Sequence, residues 1–279
     1  MNYVFFGTPR FASIILQKLI DADTPPVLVV CNPDKPVGRK KVITAPETKI
    51  IAEKNVIPVL QPEKLSDADF ENLKSKILNL KCDIAVVAAY AKIIPKEVIE
   101  LFPNGIIGVH PSLLPKHRGP SPIQQAILDG DKETGVTLYV MDEKVDRGPI
   151  ISDSRFKISD LMTYTELEEK LAYIAGELLV GVLPNYIEGK IKPKEQNHAE
   201  ATFTKKFTTE DGFVDLAKDK PELITRKIRA LNPEPGVYIV QNEKRLKLLE
   251  VKLLDGKWVI TKSQLEGKVP KENKIFLSN

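Results

Sequence analysis

The chain has 279 residues, 42% hydrophobic and 28% charged. These proportions exclude a disordered, collagen-like or coiled-coil protein and leave room for one large domain or two smaller ones. The 41 Lys and Arg against 38 Asp and Glu exclude a polycation as a whole, yet the charge is uneven: residues 1–200 hold 25 basic and 27 acidic residues, and residues 201–279 hold 16 and 11. A basic last quarter on a near-neutral body points to an anionic partner.

Apolar runs alternate with helical patterns through the first two thirds. Tyr3–Phe6 reads as a buried strand, Gly7-Thr8-Pro9 as a turn and Phe11–Ile20 as an amphipathic helix. Val27–Cys31 is a second strand, followed by a loop over Asn32–Lys41 with Pro33, Pro36 and Gly38. Helical patterns cover Thr48–Lys54, Asp67–Leu78, Lys96–Glu100 and Pro122–Leu128. Strand patterns cover Ile57–Leu60, Asp83–Ala89, Ile106–Val109, Thr134–Met141 and Ile150–Ile158, and Thr165–Glu188 is a long helix. Alternating strands and helices predict an α/β sheet covered on both faces.

The polar, lysine-rich segment 189–206 predicts a linker between a first domain at 1–188 and a second at 207–279. Beyond it, a helix at Pro221–Ala230 and β-like runs at Gly236–Val240, Leu246–Leu253 and Trp258–Thr261 predict a small, mostly β unit. Lys271–Asn279, polar apart from Ile275-Phe276-Leu277, reads as a short disordered tail. Cys31 and Cys82 lie in or beside apolar runs and are expected as buried free thiols in a reducing compartment. The opening MNYVFFGTPRF has no signal-peptide pattern and no run approaches 18 apolar residues. The expectation is a cytoplasmic, monomeric protein without a membrane span.

Neither G-x-G-x-x-G nor G-x-x-x-x-G-K-[ST] occurs, and H-E-x-x-H and C-x-x-C are absent, so neither a dinucleotide, a P-loop nor a bound metal is expected. Of the three histidines, His110, His117 and His198, only His110 ends an apolar strand. Open α/β sheets bind ligands outside the carboxyl ends of their strands, which makes His110 a catalytic candidate. The proline-bounded loop Pro111-Ser112-Leu113-Leu114-Pro115 follows it. Asp146, between two β runs, is the second candidate; Asp142 and Glu143 in the same loop read as a solvated turn.

The run HPSLLPKHRGPSPIQQAI and the later GVTLYVMDEKVDRGPII resemble the signature of folate-dependent formyltransferases. VFFGTPRFA, PDKPVGRKK, DIAVVAAYAKIIP, ATFTKKFTTEDGFVD, IRALNPEPG and QLEGK resemble the branch that formylates methionyl-tRNA, and together these motifs span residues 3 to 268. The resemblance implies a Rossmann-like α/β formyltransferase domain followed by a smaller, abbreviated OB-like β-barrel. It implies transfer of a formyl group from 10-formyltetrahydrofolate to the α-amine of methionine on initiator tRNA. His110 aligns with the family's catalytic histidine and Asp146 with its aspartate. Ser112, Leu113, Leu114 and Pro115 align with the folate-contacting loop, and Tyr90, Ile93 and Ile94 with the pterin pocket. Arg39, with Lys40 and Lys41, aligns with the loop that meets the tRNA acceptor end. Lys205, Lys206, Arg226, Lys227 and Arg229 fall in the domain that grips tRNA through its phosphates.

The chemistry suits these residue types. An amine attacking a formyl carbon creates an oxyanion that needs hydrogen-bond donors and a positive nitrogen that must lose a proton. Histidine can serve either need, and a carboxylate can orient it or help hold the proton. One position departs from the family's Asn-x-His motif: Gly108 stands where Asn would supply a donor to the oxyanion. Losing such a donor costs about 2.7–4 kcal/mol, so Gly108→Asn is expected to raise the rate. At this point three alternatives stay open: an amino-sugar-nucleotide formyltransferase, a hydrolase releasing formate, and a weakened homologue that binds tRNA or folate without transferring formyl.

Overall fold

The order of elements is β1 (Tyr3–Gly7), α1 (Arg10–Asp21), β2 (Leu28–Val30), β3 (Lys35–Val37), β4 (Val42–Thr44), α2 (Glu47–Lys54), β5 (Val59–Leu60), α3 (Asp67–Leu80), β6 (Ile84–Ala88), α4 (Lys96–Ile99) and β7 (Ile106–His110). It continues with α5 (Pro122–Asp129), β8 (Glu133–Val140), β9 (Ile150–Lys157), α6 (Tyr164–Ile187), α7 (Pro221–Leu231), β10 (Tyr238–Gln241), β11 (Lys244–Leu254), β12 (Lys257–Leu265) and β13 (Lys271–Phe276). This computed structural model describes residues 1–38 and 40–277.

β1 is buried at every residue, because helices cover both faces of a parallel sheet and leave no polar side. It pairs in parallel with β2 and β6, β5 adds beside β2, and β7 adds beside β6. The seven-stranded order β5-β2-β1-β6-β7-β8-β9 contains five parallel strands that run 3-2-1-4-5 in chain order, the Rossmann arrangement. The chain reverses at β8, which pairs antiparallel with β7 in a register that sets Gly108 opposite Tyr139 and His110 opposite Thr137. α1 repeats its apolar residues at helical spacing, burying Phe11, Ile15, Leu16 and Leu19. Phe6 is fully buried, with edge-on contacts to Tyr90 and Phe102 at centroid distances of 5.6 and 6.4 Å.

The described residues group into two compact units. One comprises 1–118, 135–155 and 169–202, and the other 119–134, 156–168 and 203–279. In the second, β10-β11-β12-β13 form an antiparallel meander, the abbreviated β unit expected from the sequence. α7 packs on α5 there, and Arg226 Nη1 donates to the Leu128 and Asp129 carbonyls, satisfying the end of α5.

Two segments differ from the sequence expectation. The loop at Asn32–Lys41 contains β3, which forms a two-stranded hairpin with β4, exposed on both strands. Its residues read as loop because proline and glycine dominate the count while Val37 and Val42, which pair, lie either side of the turn. Lys271–Phe276 is strand rather than disordered tail: Asn273 and Ile275 turn inward alternately, and Asn273 Nδ2 donates to Ser263 Oγ. Both cysteines are buried free thiols, and burial pushes each up to about 11. Among the described residues no helix is long and apolar enough to cross a membrane. Phe6→Ala should cost about 3–5 kcal/mol of stability in chemical denaturation, and a loss under about 1 kcal/mol would contradict this packing.

Candidate active site

His110 closes β7, whose five residues are all buried, and is itself 5% exposed. Its Nε2 lies 2.9 Å from the carbonyl oxygen of His117. A carbonyl only accepts, so Nε2 carries the hydrogen and the neutral ring presents Nδ1 as its lone pair. Nδ1 faces Asp146 Oδ2 at 3.5 Å, with both side chains largely buried. The two candidates that lie 36 residues apart in sequence are thus brought together.

Short-range hydrogen bonds fix the loop that carries His117. Ser112 N–H donates to the His110 carbonyl at 2.9 Å, and Ser112 Oγ to that of Lys116 at 2.6 Å. Thr137 Oγ1 donates to the Ser112 carbonyl at 2.7 Å and accepts from Leu114 N–H at 3.0 Å. His117 N–H donates to Thr202 Oγ1 at 2.8 Å, and Arg118 N–H to the Thr202 carbonyl at 2.9 Å.

Asp146 adopts a left-handed backbone, φ 51°, which aspartate tolerates better than bulkier residues. Its backbone carbonyl accepts from Gln196 Nε2 at 3.0 Å, and the same nitrogen donates to the Gly148 carbonyl at 2.7 Å. Gln196 Oε1 accepts in turn from Arg118 Nε and Nη2, at 3.2 and 2.5 Å. Burial lowers the Arg118 pKa, and the Asp146 charge opposes that shift. Asp146 Oδ1 accepts from the Tyr139 hydroxyl at 2.8 Å. Sequence reasoning missed both Tyr139 and Gln196. The glycine directly across from Tyr139 was a usable signal, since glycine within a strand marks a close approach; Gln196 sits in a polar segment that offers none.

Residues 1–183 match the formyl transferase family, and residues 206–274 match the formyl transferase C-terminal domain. The chain belongs to the formyl transferase family. It is 42% identical over 254 residues to a methionyl-tRNA formyltransferase of Staphylococcus epidermidis, covering 91% of this chain and 80% of that one. Among solved structures, the methionyl-tRNA formyltransferase from Clostridium thermocellum aligns with TM-score 0.62 and 18% identity, over 98% of this chain and 100% of that one. HypX from Aquifex aeolicus in complex with tetrahydrofolic acid aligns with TM-score 0.67 and 18% identity, over 97% of this chain and 45% of that one. At such identities these two structures speak for the fold.

The other expected site residues of this formyl transferase fall into distinct settings. Ser112 and Leu114 are buried, and Leu113 and Pro115 half-buried, in the loop after β7. Tyr90 and Ile94 are buried, and burial raises the Tyr90 hydroxyl's pKa, whereas Ile93 is 91% exposed. Lys40 and Lys41 are exposed beyond β3, and Arg39 lies outside the described residues. Lys205, exposed, pairs with Asp211 at 2.5 Å, and Lys206 is exposed. The helix α7 cations are directed inward: Lys227 Nζ donates to the Phe213 carbonyl at 2.8 Å, and Arg229, 9% exposed, donates to the Met162 carbonyl at 3.2 Å.

Gly108 needs its hydrogen. A Cβ there would lie 2.4 Å from two ring atoms of Tyr139 and 2.7 Å from its hydroxyl oxygen. An asparagine at 108 would have to displace the tyrosine ring before its amide could serve as a donor. Gly108→Ala should therefore destabilise the protein by about 1–3 kcal/mol. In a double-mutant cycle by chemical denaturation, that penalty should shrink on a Tyr139→Leu background. An equal penalty on both backgrounds would contradict the contact.

Proposed function

We propose that this chain transfers a formyl group from 10-formyltetrahydrofolate to the α-amino group of methionine on initiator methionyl-tRNA, in the cytoplasm. The observation that carries this reading is the buried His110–Asp146 pair at the end of β7. The 42% identity to a methionyl-tRNA formyltransferase over 91% of the chain favours methionyl-tRNA over an amino sugar as acceptor.

In this reading His110 and Asp146 are the catalytic residues. The attacking amine must shed a proton, and His110 Nδ1 is the basic site that the His117 contact leaves facing Asp146. The carboxylate offsets the positive charge of the protonated ring, so Nδ1 beside Oδ2 holds the proton until it passes to the donor nitrogen that leaves as its bond to the formyl carbon breaks. Gly108 contributes space rather than a donor.

The residues around the loop fit a folate. The Tyr90 hydroxyl is buried without a hydrogen-bond partner among the described residues, and Leu114 and Ile94 are buried apolar groups. A polar orphan within an apolar lining suits a flat ring system with hydrogen-bonding edges. Tyr90, Ile94, Leu113, Leu114 and Pro115 would hold the folate, with Ser112 fixing the loop and Ile93 at its exposed margin. When bound, the folate supplies the formyl carbon.

Phosphate binding by this chain rests on its exposed cations, Lys40 and Lys41 in one unit and Lys205 and Lys206 in the other, and Arg39 is assigned to it from the sequence alone. Arg226, Lys227 and Arg229 support that surface from within α7, since their donors meet backbone carbonyls. The formyl chemistry is assigned to residues 1–188, and the tRNA grip to the loop at 39–41 and to Lys205 and Lys206 at the end of 189–206, with 207–279 supporting them.

Purified protein should formylate methionyl-tRNA with 10-formyltetrahydrofolate, and His110→Ala should lower kcat by about 10²–10⁴-fold. No transfer by the folded wild type, or full activity in His110→Ala, would contradict the proposal. Affinity for tRNA should also fall linearly with salt on a log–log plot, and a flat response would contradict phosphate-driven binding.

A further inference from the structure

Tyr139 is a buried ionisable group that the reading above leaves without a role. It stands opposite Gly108 in the β7–β8 register, and its ring fills the volume that any side chain at 108 would take. Its hydroxyl reaches Asp146 Oδ1 at 2.8 Å. Burial, and then the neighbouring carboxylate, raise its pKa well above 10, so the phenol is protonated and donates.

A packing role alone would be met by phenylalanine, which has the same ring. The hydroxyl adds a directed hydrogen bond to one oxygen of the carboxylate whose other oxygen faces His110 Nδ1. A carboxylate held at one oxygen cannot rotate its other oxygen away without breaking that bond. The backbone of Asp146 is anchored separately through Gln196, so the Tyr139 hydrogen bond bears on the side chain rather than on the loop.

We propose that Tyr139 is a positioning residue for formyl transfer: its hydroxyl orients Asp146 toward His110, and residue 108 is glycine because the tyrosine occupies its side-chain space. This rests on the formyl-transfer reading and adds to it a residue outside the His110–Asp146 pair.

The test is steady-state kinetics with 10-formyltetrahydrofolate and methionyl-tRNA for wild type, Tyr139→Phe, Asp146→Asn and the double variant. Tyr139→Phe keeps the ring and should lower kcat by about 10–100-fold, the scale of one hydrogen bond to a charged group, with both KM values within about twofold. On an Asp146→Asn background the same change should cost less than about twofold, because Tyr139 acts through that carboxylate. Gly108→Ala, which pushes the ring aside while keeping the hydroxyl, should also lower kcat. The proposal is overturned if folded Tyr139→Phe or Gly108→Ala turns over like wild type, or if Tyr139→Phe costs as much with Asp146→Asn as without it. Inactivity of the wild type would instead strike the formyl-transfer reading itself.

Discussion

The site depends on the hydrogen bond between His110 Nε2 and the His117 carbonyl. It assigns the hydrogen of the neutral imidazole to Nε2 and turns Nδ1 toward Asp146. The carbonyl can act this way because the loop from Pro111 to Arg118 is closed on itself and tied to Thr137 and Thr202. His117 takes a left-handed backbone, φ 58°, within that closed loop. Without this constraint the ring could present either nitrogen to the carboxylate.

Asp146 is held at both its backbone and its side chain. Its backbone is tied through Gln196 to Arg118, so a buried cation stands behind the loop that carries a buried anion. Its side chain is tied by Tyr139. A favourable charge interaction also links Arg118 to Asp146, beside the hydrogen bonds that both residues make to Gln196. Gly148 completes the loop: a Cβ there would lie 1.7 Å from the Val140 carbonyl oxygen, so the chain passes too close to β8 for any side chain.

Most of the sheet was legible because parallel strands buried on both faces are written as continuous apolar runs, as in Tyr3–Phe6 and Ile106–Val109. His110 was legible for a related reason, as a polar residue at the end of such a run. The hairpin of β3 and β4 was hidden because both of its strands are exposed and no buried face imposes a pattern. β13 was hidden because one of its inward residues is the polar Asn273. Tyr139 could be seen as a strand residue but not as a partner of Asp146, since alternation gives a face and not a hydrogen bond. The inward turn of Arg226, Lys227 and Arg229 was equally invisible: a basic run on a helix reads the same whether its donors meet phosphates or carbonyls.

The most direct measurement of the His110 tautomer is the ¹⁵N chemical-shift pattern of His110 in protein labelled at histidine nitrogens, recorded where the ring is neutral. Assignment comes from loss of the signal in His110→Gln. Hydrogen is expected on Nε2, with a bare Nδ1 facing Asp146. A neutral ring with hydrogen on Nδ1 would contradict this, because the His117 contact would then not set the ring and the lone pair would point away from the carboxylate.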